Sequence, residues 1–316
     1  MPAISASAPG KAILLGEHAV VYGCPAIAVP VNQVEARATI QPAIHQPAGW
    51  MHIESPVIAL NANLNEMATT HPLRVLVELV RAELGIAAFP SLTLRIKATI
   101  PPAAGLGSGA AVSVAVIRAL SSFVGHPLPD ETVCRLAYQI EKLYHGTPSG
   151  IDNTVITYNR PIYYRRECPL ELLHVQQPLT LVIADTGVKS STREAVGDVR
   201  RCYEQNPETY QRLFDQVRLV VEQARQVIET GAGELGPLMF QNHTLLQKIG
   251  VSSPELDTLV SAAQSAGALG AKLSGGGRGG NMIALARPGE EKALAQALLN
   301  AGATRAFLSI IFPSGA

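Results

Sequence analysis

The sequence predicts an α+β protein in two domains, residues 1–178 and 179–316. Three observations carry that expectation. Short alternating segments and glycine loops dominate up to about residue 178. Near residue 180 the pattern shifts to a helix-rich one, with long runs at helical spacing. Within the first region, Pro101-Pro102-Ala103-Ala104-Gly105-Leu106-Gly107-Ser108-Gly109-Ala110-Ala111 leads a strand-like segment into an apolar, alanine-rich run that reads as a buried helix.

Taken in order, Ile4–Ala8 and Ala12–Leu15 read as short strands around a turn at Pro9-Gly10-Lys11. The polar residues Gly16-Glu17-His18 follow inside an apolar region, where they need partners or a ligand. Val34–Ile40 alternates as a strand. His45–Asn65 carries prolines and asparagines with weak strand character at Met51–Glu54, and reads as a loose, lid-like region. Leu73, Leu76, Val77, Val80 and Leu84 share one face of a helix that Gly85 ends. Leu92, Leu94 and Ile96 alternate as a strand leading to the glycine loop. A helix capped by Asp130 carries Glu141 near its end. The segment His145-Gly146-Thr147-Pro148-Ser149-Gly150 then delivers Asp152 and Asn153 at the start of a short apolar stretch, where Asp152 is either a plain helix cap or a deliberately placed carboxylate.

Beyond the strand Leu179–Ala184, the turn Asp185–Thr192 offers Thr192 as cap to a helix from Arg193. Helices are expected over about Arg193–Gln205, Pro207–Thr230, Glu234–Ile249 and Pro254–Ala266. A strand Ala268–Leu273 enters Ser274-Gly275-Gly276-Gly277-Arg278-Gly279-Gly280. Strand Asn281–Ala286, helix Glu290–Asn300 and strand Thr304–Phe312 complete the chain.

Composition excludes several classes. Lysine plus arginine equals aspartate plus glutamate, 25 each, so no bulk charge favours nucleic acid or an anionic membrane. The four cysteines are scattered without metal-ligand spacing, which argues against structural zinc and suits a reducing cytoplasm. The N-terminus lacks the basic and apolar regions of a secretory signal, and no uncharged apolar run reaches the ~18 residues of a membrane span. A cytoplasmic protein that engages neither nucleic acid nor membrane is expected.

A glycine turn feeding a helix N-terminus is an anion site, because the first amides lack partners and the peptide dipoles add there. Residues 105–110 read either that way or as a tight turn starting a core helix, with Ser108 as N-cap. No segment fits the P-loop pattern G-x-x-x-x-G-K-[ST]. A dinucleotide fingerprint requires Ala110 in place of the third glycine, and no acidic residue follows about 20 positions on in a second strand. Arg278-Gly279-Gly280 is a single copy of an RGG tract in a neutral chain, a weak sign of RNA binding.

The segment from Pro9-Gly10-Lys11 through Gly16-Glu17-His18-Ala19-Val20-Val21-Tyr22-Gly23 closely resembles the first motif of the GHMP kinases (galactokinase, homoserine kinase, mevalonate kinase, phosphomevalonate kinase). Residues 101–111 resemble their second motif and Lys272–Gly280 their third, in family order and across nearly the whole chain. Within the family, Glu17–Gly23 and His145–Asn153 are most similar to the mevalonate kinase branch. The resemblance implies a fold of two α/β domains, the second helix-rich, with the site in the cleft between them.

It also implies ATP and Mg2+ as cofactors, mevalonate as the small-molecule substrate, and phosphorylation of the 5-hydroxyl of (R)-mevalonate. A homodimer is compatible with it. ATP phosphates would be held by Pro102, Ala103, Ala104, Gly105, Leu106, Gly107, Ser108, Gly109 and Ala110. Glu141 and Ser108 would hold the metal, and Asp152 and Lys11 would be catalytic. Lys11, Glu17, His18, Asp152, Thr192 and Gly276 would flank the substrate. Two departures stand out. Gly109 replaces the second of two adjacent serines common in this branch, and Arg278 stands where glycine is usual, a cation expected near the phosphates. Action on another small alcohol, a phosphomevalonate or a sugar, and a non-catalytic nucleotide sensor remain the alternatives.

Overall fold

The computed structural model describes residues 3–101, 105–145 and 148–314, with the side chain of residue 145 set aside. The expected phosphate-loop residues Pro102, Ala103 and Ala104, and Gly146 and Thr147 of the segment before Asp152, lie outside these. The strands are β1 (Ile4–Leu15), β2 (Ala26–Pro42), β3 (Met51–Ser55), β4 (Leu60–Asn63), β5 (Leu92–Ala98), β6 (Ile162–Tyr164), β7 (Glu171–Leu172), β8 (Leu179–Asp185), β9 (Gly270–Ser274), β10 (Asn281–Leu285) and β11 (Arg305–Ile311). The helices are α1 (Pro72–Glu83), α2 (Ser108–Phe123), α3 (Asp130–His145), α4 (Ile151–Tyr158), α5 (Thr192–Gln205), α6 (Pro207–Thr230), α7 (Leu235–Ile249), α8 (Pro254–Ser265) and α9 (Glu291–Asn300).

Two compact units form. One comprises Met1–Gly10, Val34–Pro102 and Gly107–Asn159, the other Lys11–Gln33, Ala103–Leu106 and Arg160–Ala316. They interleave along the chain and are not the linear halves 1–178 and 179–316. The change to helix-rich sequence near residue 180 falls inside the second unit.

In the first unit β4 pairs antiparallel with β3, β3 parallel with β5, and β5 antiparallel with the C-terminal half of β2, from Ala36↔Ala98 to Pro42↔Leu92. The region expected to be a lid is therefore built into a sheet from Met51 onward. Met51, Ile53 and Ser55 are buried on one face, and His52 bonds Asn63 and Asn61 on the neighbouring strand. Its alternation is only five residues long and sits among prolines and asparagines, which hid it. α1 begins with Pro72 at its first position and buries Leu73, Leu76, Val77 and Val80, as its spacing predicts. α2 is buried on most sides, including Ala110, Ala111, Val114, Ala115, Ile117 and Leu120.

β1 is one continuous strand, not two strands around a turn. Pro9 is tolerated because β1 pairs with β2 alone and so has an unpaired edge, where a missing N–H costs nothing. In the second unit the N-terminal part of β2 pairs with β6, and β6 with β7. These two strands have three and two residues and leave no periodic signal. A second sheet runs β11-β8-β10-β9, antiparallel throughout, with β9 and β10 buried along their full length. Among the described residues no helix is long and apolar enough to cross a membrane.

Candidate active site

Within the second unit the three motifs converge on one another. β1 carries Lys11, 4% exposed, whose backbone N–H donates to the Leu106 carbonyl at 3.0 Å. Two residues on, Ile13 exchanges hydrogen bonds with the Ser274 hydroxyl: its N–H donates at 3.1 Å and its carbonyl accepts at 3.0 Å. A Cβ built on Gly105 would lie 3.7 Å from the Ser274 carbonyl. So the lysine strand, Gly105 and Leu106 in the middle of the second motif, and the start of the third are one packed cluster.

Glu17 and His18 hang from the same cluster. Lys272, fully buried on β9, donates to Glu17 Oε1 and to the carbonyl of Leu273. Asn242 on α7 donates to Glu17 Oε2 at 3.3 Å. Both carboxylate oxygens of Glu17 are thus engaged by the protein, and the side chain is 1% exposed. Burial lowers the Lys272 amine from its ordinary value, opposed by the Glu17 carboxylate. Lys272 is a partner of Glu17 that the sequence motifs do not single out. Its signal was a lysine in an otherwise apolar strand, which demands a counter-charge.

His18 adopts φ 60, unusual for a residue with a side chain, and is 5% exposed. Its Nε2 lies 3.0 Å from the Gly276 carbonyl. A carbonyl only accepts, so Nε2 carries the proton, leaving Nδ1 a bare acceptor with no partner among the described residues. Burial lowers its pKa to about 4; the bond to Gly276 opposes this, and Arg278 and Lys272 reinforce it.

The unfolded chain takes up this proton near 6.5, the folded chain only near 4, so stability is flat above 6.5 and is lost as pH falls through that window. The gap corresponds to about 3 kcal/mol. Urea midpoints at pH 7, 5.5 and 4.5 should fall in the wild type. His18→Asn, which tolerates the same backbone and keeps a donor for Gly276, should fall less. Parallel curves for the two proteins exclude His18 as the source.

Thr192 was expected to cap α5. Instead it is the first helical residue, and the cap is Ser191, whose hydroxyl accepts from Glu194 N–H at 3.3 Å. That releases Thr192 to pack on the third motif. A Cβ on Gly276 would stand 2.8 Å from Thr192 Oγ1, a contact only glycine allows. Gly276 therefore touches Thr192 through its Cα face and His18 through its carbonyl.

Arg278 has φ 59, which costs an L-residue roughly 1–2 kcal/mol relative to glycine. Its Nη1 pairs with Asp198 Oδ2 on α5, and Arg201 holds the other oxygen of Asp198. The guanidinium expected as a cation near the phosphates is thus engaged by a carboxylate. That pair is partly exposed and water-screened, so it adds little stability of its own.

The first unit holds the remaining predicted residues. α2 starts at Ser108 after Gly107, whose φ of 73 follows a φ of 76 at Gly105. Gly107, not Ser108, occupies the cap position. Ser108, Gly109 and Ala110 then form the first turn, whose amides have no intrahelical acceptor. Glu141 on α3 is 4% exposed, and its Oε1 would lie 3.3 Å from a Cβ on Gly109. The glycine gives the carboxylate its approach to the first turn of α2. Gly150 caps α4 with φ 89 and places Asp152, half-buried, in the first turn.

The backbone of this turn fits a polyphosphate: successive amides at a helix N-terminus, reached through two glycines of positive φ. A magnesium ion fits too. Glu141 offers hard oxygen beside that turn, and Mg2+ is usually held by one or two carboxylates together with substrate phosphates and water. Among the described residues no group of three or more His, Cys, Asp or Glu stands together as an all-protein metal cage.

Two family models match the chain, the GHMP kinases N terminal domain over residues 71–160 and the GHMP kinases C terminal over residues 223–304. A mevalonate kinase of Pyrococcus abyssi is 37% identical, the match covering 95% of this chain and 93% of that one. A mevalonate kinase of Thermococcus onnurineus is 38% identical over 95% and 94%. The crystal structure of L. major mevalonate kinase in complex with R-mevalonate superposes with a TM-score of 0.82 at 34% identity, covering 99% of this chain and 97% of that one. With two α+β domains, three glycine motifs in order and full-length relatives, the chain belongs to the GHMP kinase family.

Proposed function

We propose that the chain transfers the terminal phosphoryl group of ATP to the 5-hydroxyl of (R)-mevalonate, giving 5-phosphomevalonate. The observation that carries this reading is similarity along the whole length to mevalonate kinases at 37 and 38% identity, rather than over the nucleotide motifs alone. ATP use follows from the family.

The roles are as follows. The amides of Gly105–Ala110 and the Ser108 hydroxyl hold the ATP phosphates at the positive end of α2. Glu141 and Ser108 hold Mg2+, which supplies charge neutralisation on the phosphate oxygens when bound. Asp152 takes the proton of the attacking hydroxyl, and Lys11 stabilises the oxygen as negative charge develops. His18 and Thr192 face the acceptor, with Gly276 as its wall. The bare Nδ1 of His18 selects a hydroxyl donor there, because a neutral imidazole nitrogen offers nothing to a phosphate or carboxylate oxygen. Glu17 serves through Lys272 and Asn242 as a support of this wall, its oxygens already being engaged.

A coupled assay of ADP release should show turnover with mevalonate and at least tenfold lower kcat/KM with phosphomevalonate, galactose or homoserine. Preference for any of the other three overturns the substrate. Turnover with none, alongside ATP binding, returns the sensor reading.

A further inference from the structure

We infer that Arg278 is a positioning residue for the acceptor side, acting by latching α5 onto the third glycine motif. This rests on the functional reading above for what the latch serves, but the latch itself is read from geometry. Arg278 is the one residue with a side chain in the run Gly275–Gly280, and it holds φ 59 between Gly277 at 74 and Gly279 at 127. Glycine would adopt that backbone freely. The arginine is retained at a conformational cost that its screened ion pair does little to offset, so fold stability does not explain it.

The contacts explain it. The Arg278 backbone N–H donates to the Val251 carbonyl at 2.8 Å, which anchors the loop to the end of α7. Its Nη1 grips Asp198 on α5 and its Nη2 reaches the Gly250 carbonyl at 3.5 Å. Asp198 is six residues along the helix that starts at Thr192. Thr192 presses on Gly276, two residues before Arg278, and Gly276 accepts from His18. The path His18, Gly276, Thr192, α5, Asp198, Arg278 and back along the loop is a closed ring. Without the ion pair, the start of α5 keeps the van der Waals contact at Gly276, and the turn before it keeps the hydrogen bond from Gly280 N–H to the Val188 carbonyl at 2.9 Å, four residues before Thr192. With it, the Thr192 hydroxyl and the His18 ring are held at a fixed spacing, as two groups gripping one small alcohol require.

The test uses the full chain. Arg278→Gly and Asp198→Asn should each raise KM for mevalonate about five- to tenfold. kcat and KM for ATP should stay within twofold and Tm within about two degrees. The double variant should be no worse than either single one. Arg278→Lys should be intermediate, and the swap R278D/D198R should recover most of the loss, since Asp also tolerates positive φ. Amide exchange read by mass spectrometry should quicken across 193–199 in Arg278→Gly.

An unchanged KM for mevalonate in both single variants overturns the inference, as does an equal loss in both substrates' KM or a charge swap no better than the single variants. If wild-type protein phosphorylates no mevalonate, the functional reading fails by itself. The exchange measurement then decides the latch, and unchanged exchange across 193–199 overturns it.

Discussion

Asp152→Asn is expected to lower kcat by about 10²–10⁴-fold while leaving ATP affinity within about twofold. The size follows from what the Lys11 cation alone could do in the role proposed for it. An ammonium about 4 Å from a hydroxyl, at an effective dielectric near 20, is worth about 4 kcal/mol. That lowers a hydroxyl by about 3 pKa units, from near the ~15.7 of water. The acceptor is still protonated at neutral pH, so Lys11 cannot by itself produce an alkoxide. In a loose, metaphosphate-like transition state the proton leaves late, and an oriented carboxylate is what receives it.

Asparagine keeps the shape and loses only that capacity. The competing explanation is that Asp152 merely stabilises α4, since it lies in the helix's first turn. A first-turn carboxylate there is worth about 0.3–1 kcal/mol through the helix dipole. That shifts Tm by about one degree and cannot remove two decades of activity from protein that remains folded. Single-turnover kinetics with calorimetric ATP binding and a thermal melt separate the two. Normal turnover in the variant withdraws the base assignment, and a large fall in Tm alongside lost turnover favours the structural role.

What the sequence could reveal divides along a physical line. α1, α2 and the run from α5 to α9 were legible because their apolar residues recur at helical spacing and their ends carry Pro, Gly or Ser. The glycine motifs were legible because a backbone that must take positive φ or approach another chain closely leaves little choice of residue. What escaped was set by distant partners. The continuity of β1 through Pro9 depends on its unpaired edge. β6 and β7 exist through the strands they pair with, not through their own few residues. Thr192 was read as a cap because Ser191 offers the same chemistry one position earlier, and only the backbone decides between them. Glu17 was recognisable as a carboxylate needing a partner. The partner lies 255 residues on, and no periodicity spans that distance.

Lys272→Met is expected to destabilise the fold by about 3–5 kcal/mol. It leaves the Glu17 carboxylate, 1% exposed, with the Asn242 amide as its donor and without its buried counter-charge. Against a total stability of about 5–15 kcal/mol that is a large share, and it lowers the melting midpoint by about 5–8 °C. Glu17→Gln should cost less, and the reason is an asymmetry between the two groups. The Lys272 amine is already held below its ordinary value by burial. Without Glu17 it can shed its proton and remain inside as a neutral amine.

The two variants should therefore depend on pH with opposite signs. In Glu17→Gln the folded state binds fewer protons than the unfolded one, so stability rises with pH. In Lys272→Met the orphaned carboxylate is tolerated inside only when protonated. The folded state then holds the extra proton, and stability falls as pH rises. Glu17→Gln with Lys272→Met removes both charges and should recover most of the loss, since a buried pair replaced by neutral groups is often nearly neutral in stability. Urea midpoints of the three variants between pH 5 and 9 test this directly. Slopes of the same sign in the two single variants, or a double variant as unstable as Lys272→Met, mean that Glu17 and Lys272 do not act as a charge pair. The strand β9 and the turn before Ala19 would then owe their junction to packing alone. If the signs come out opposite, the acceptor wall at His18 and Gly276 rests on an ion pair reaching from the first motif to the third. Its substitutions will then raise KM for mevalonate only to the extent that they loosen that junction.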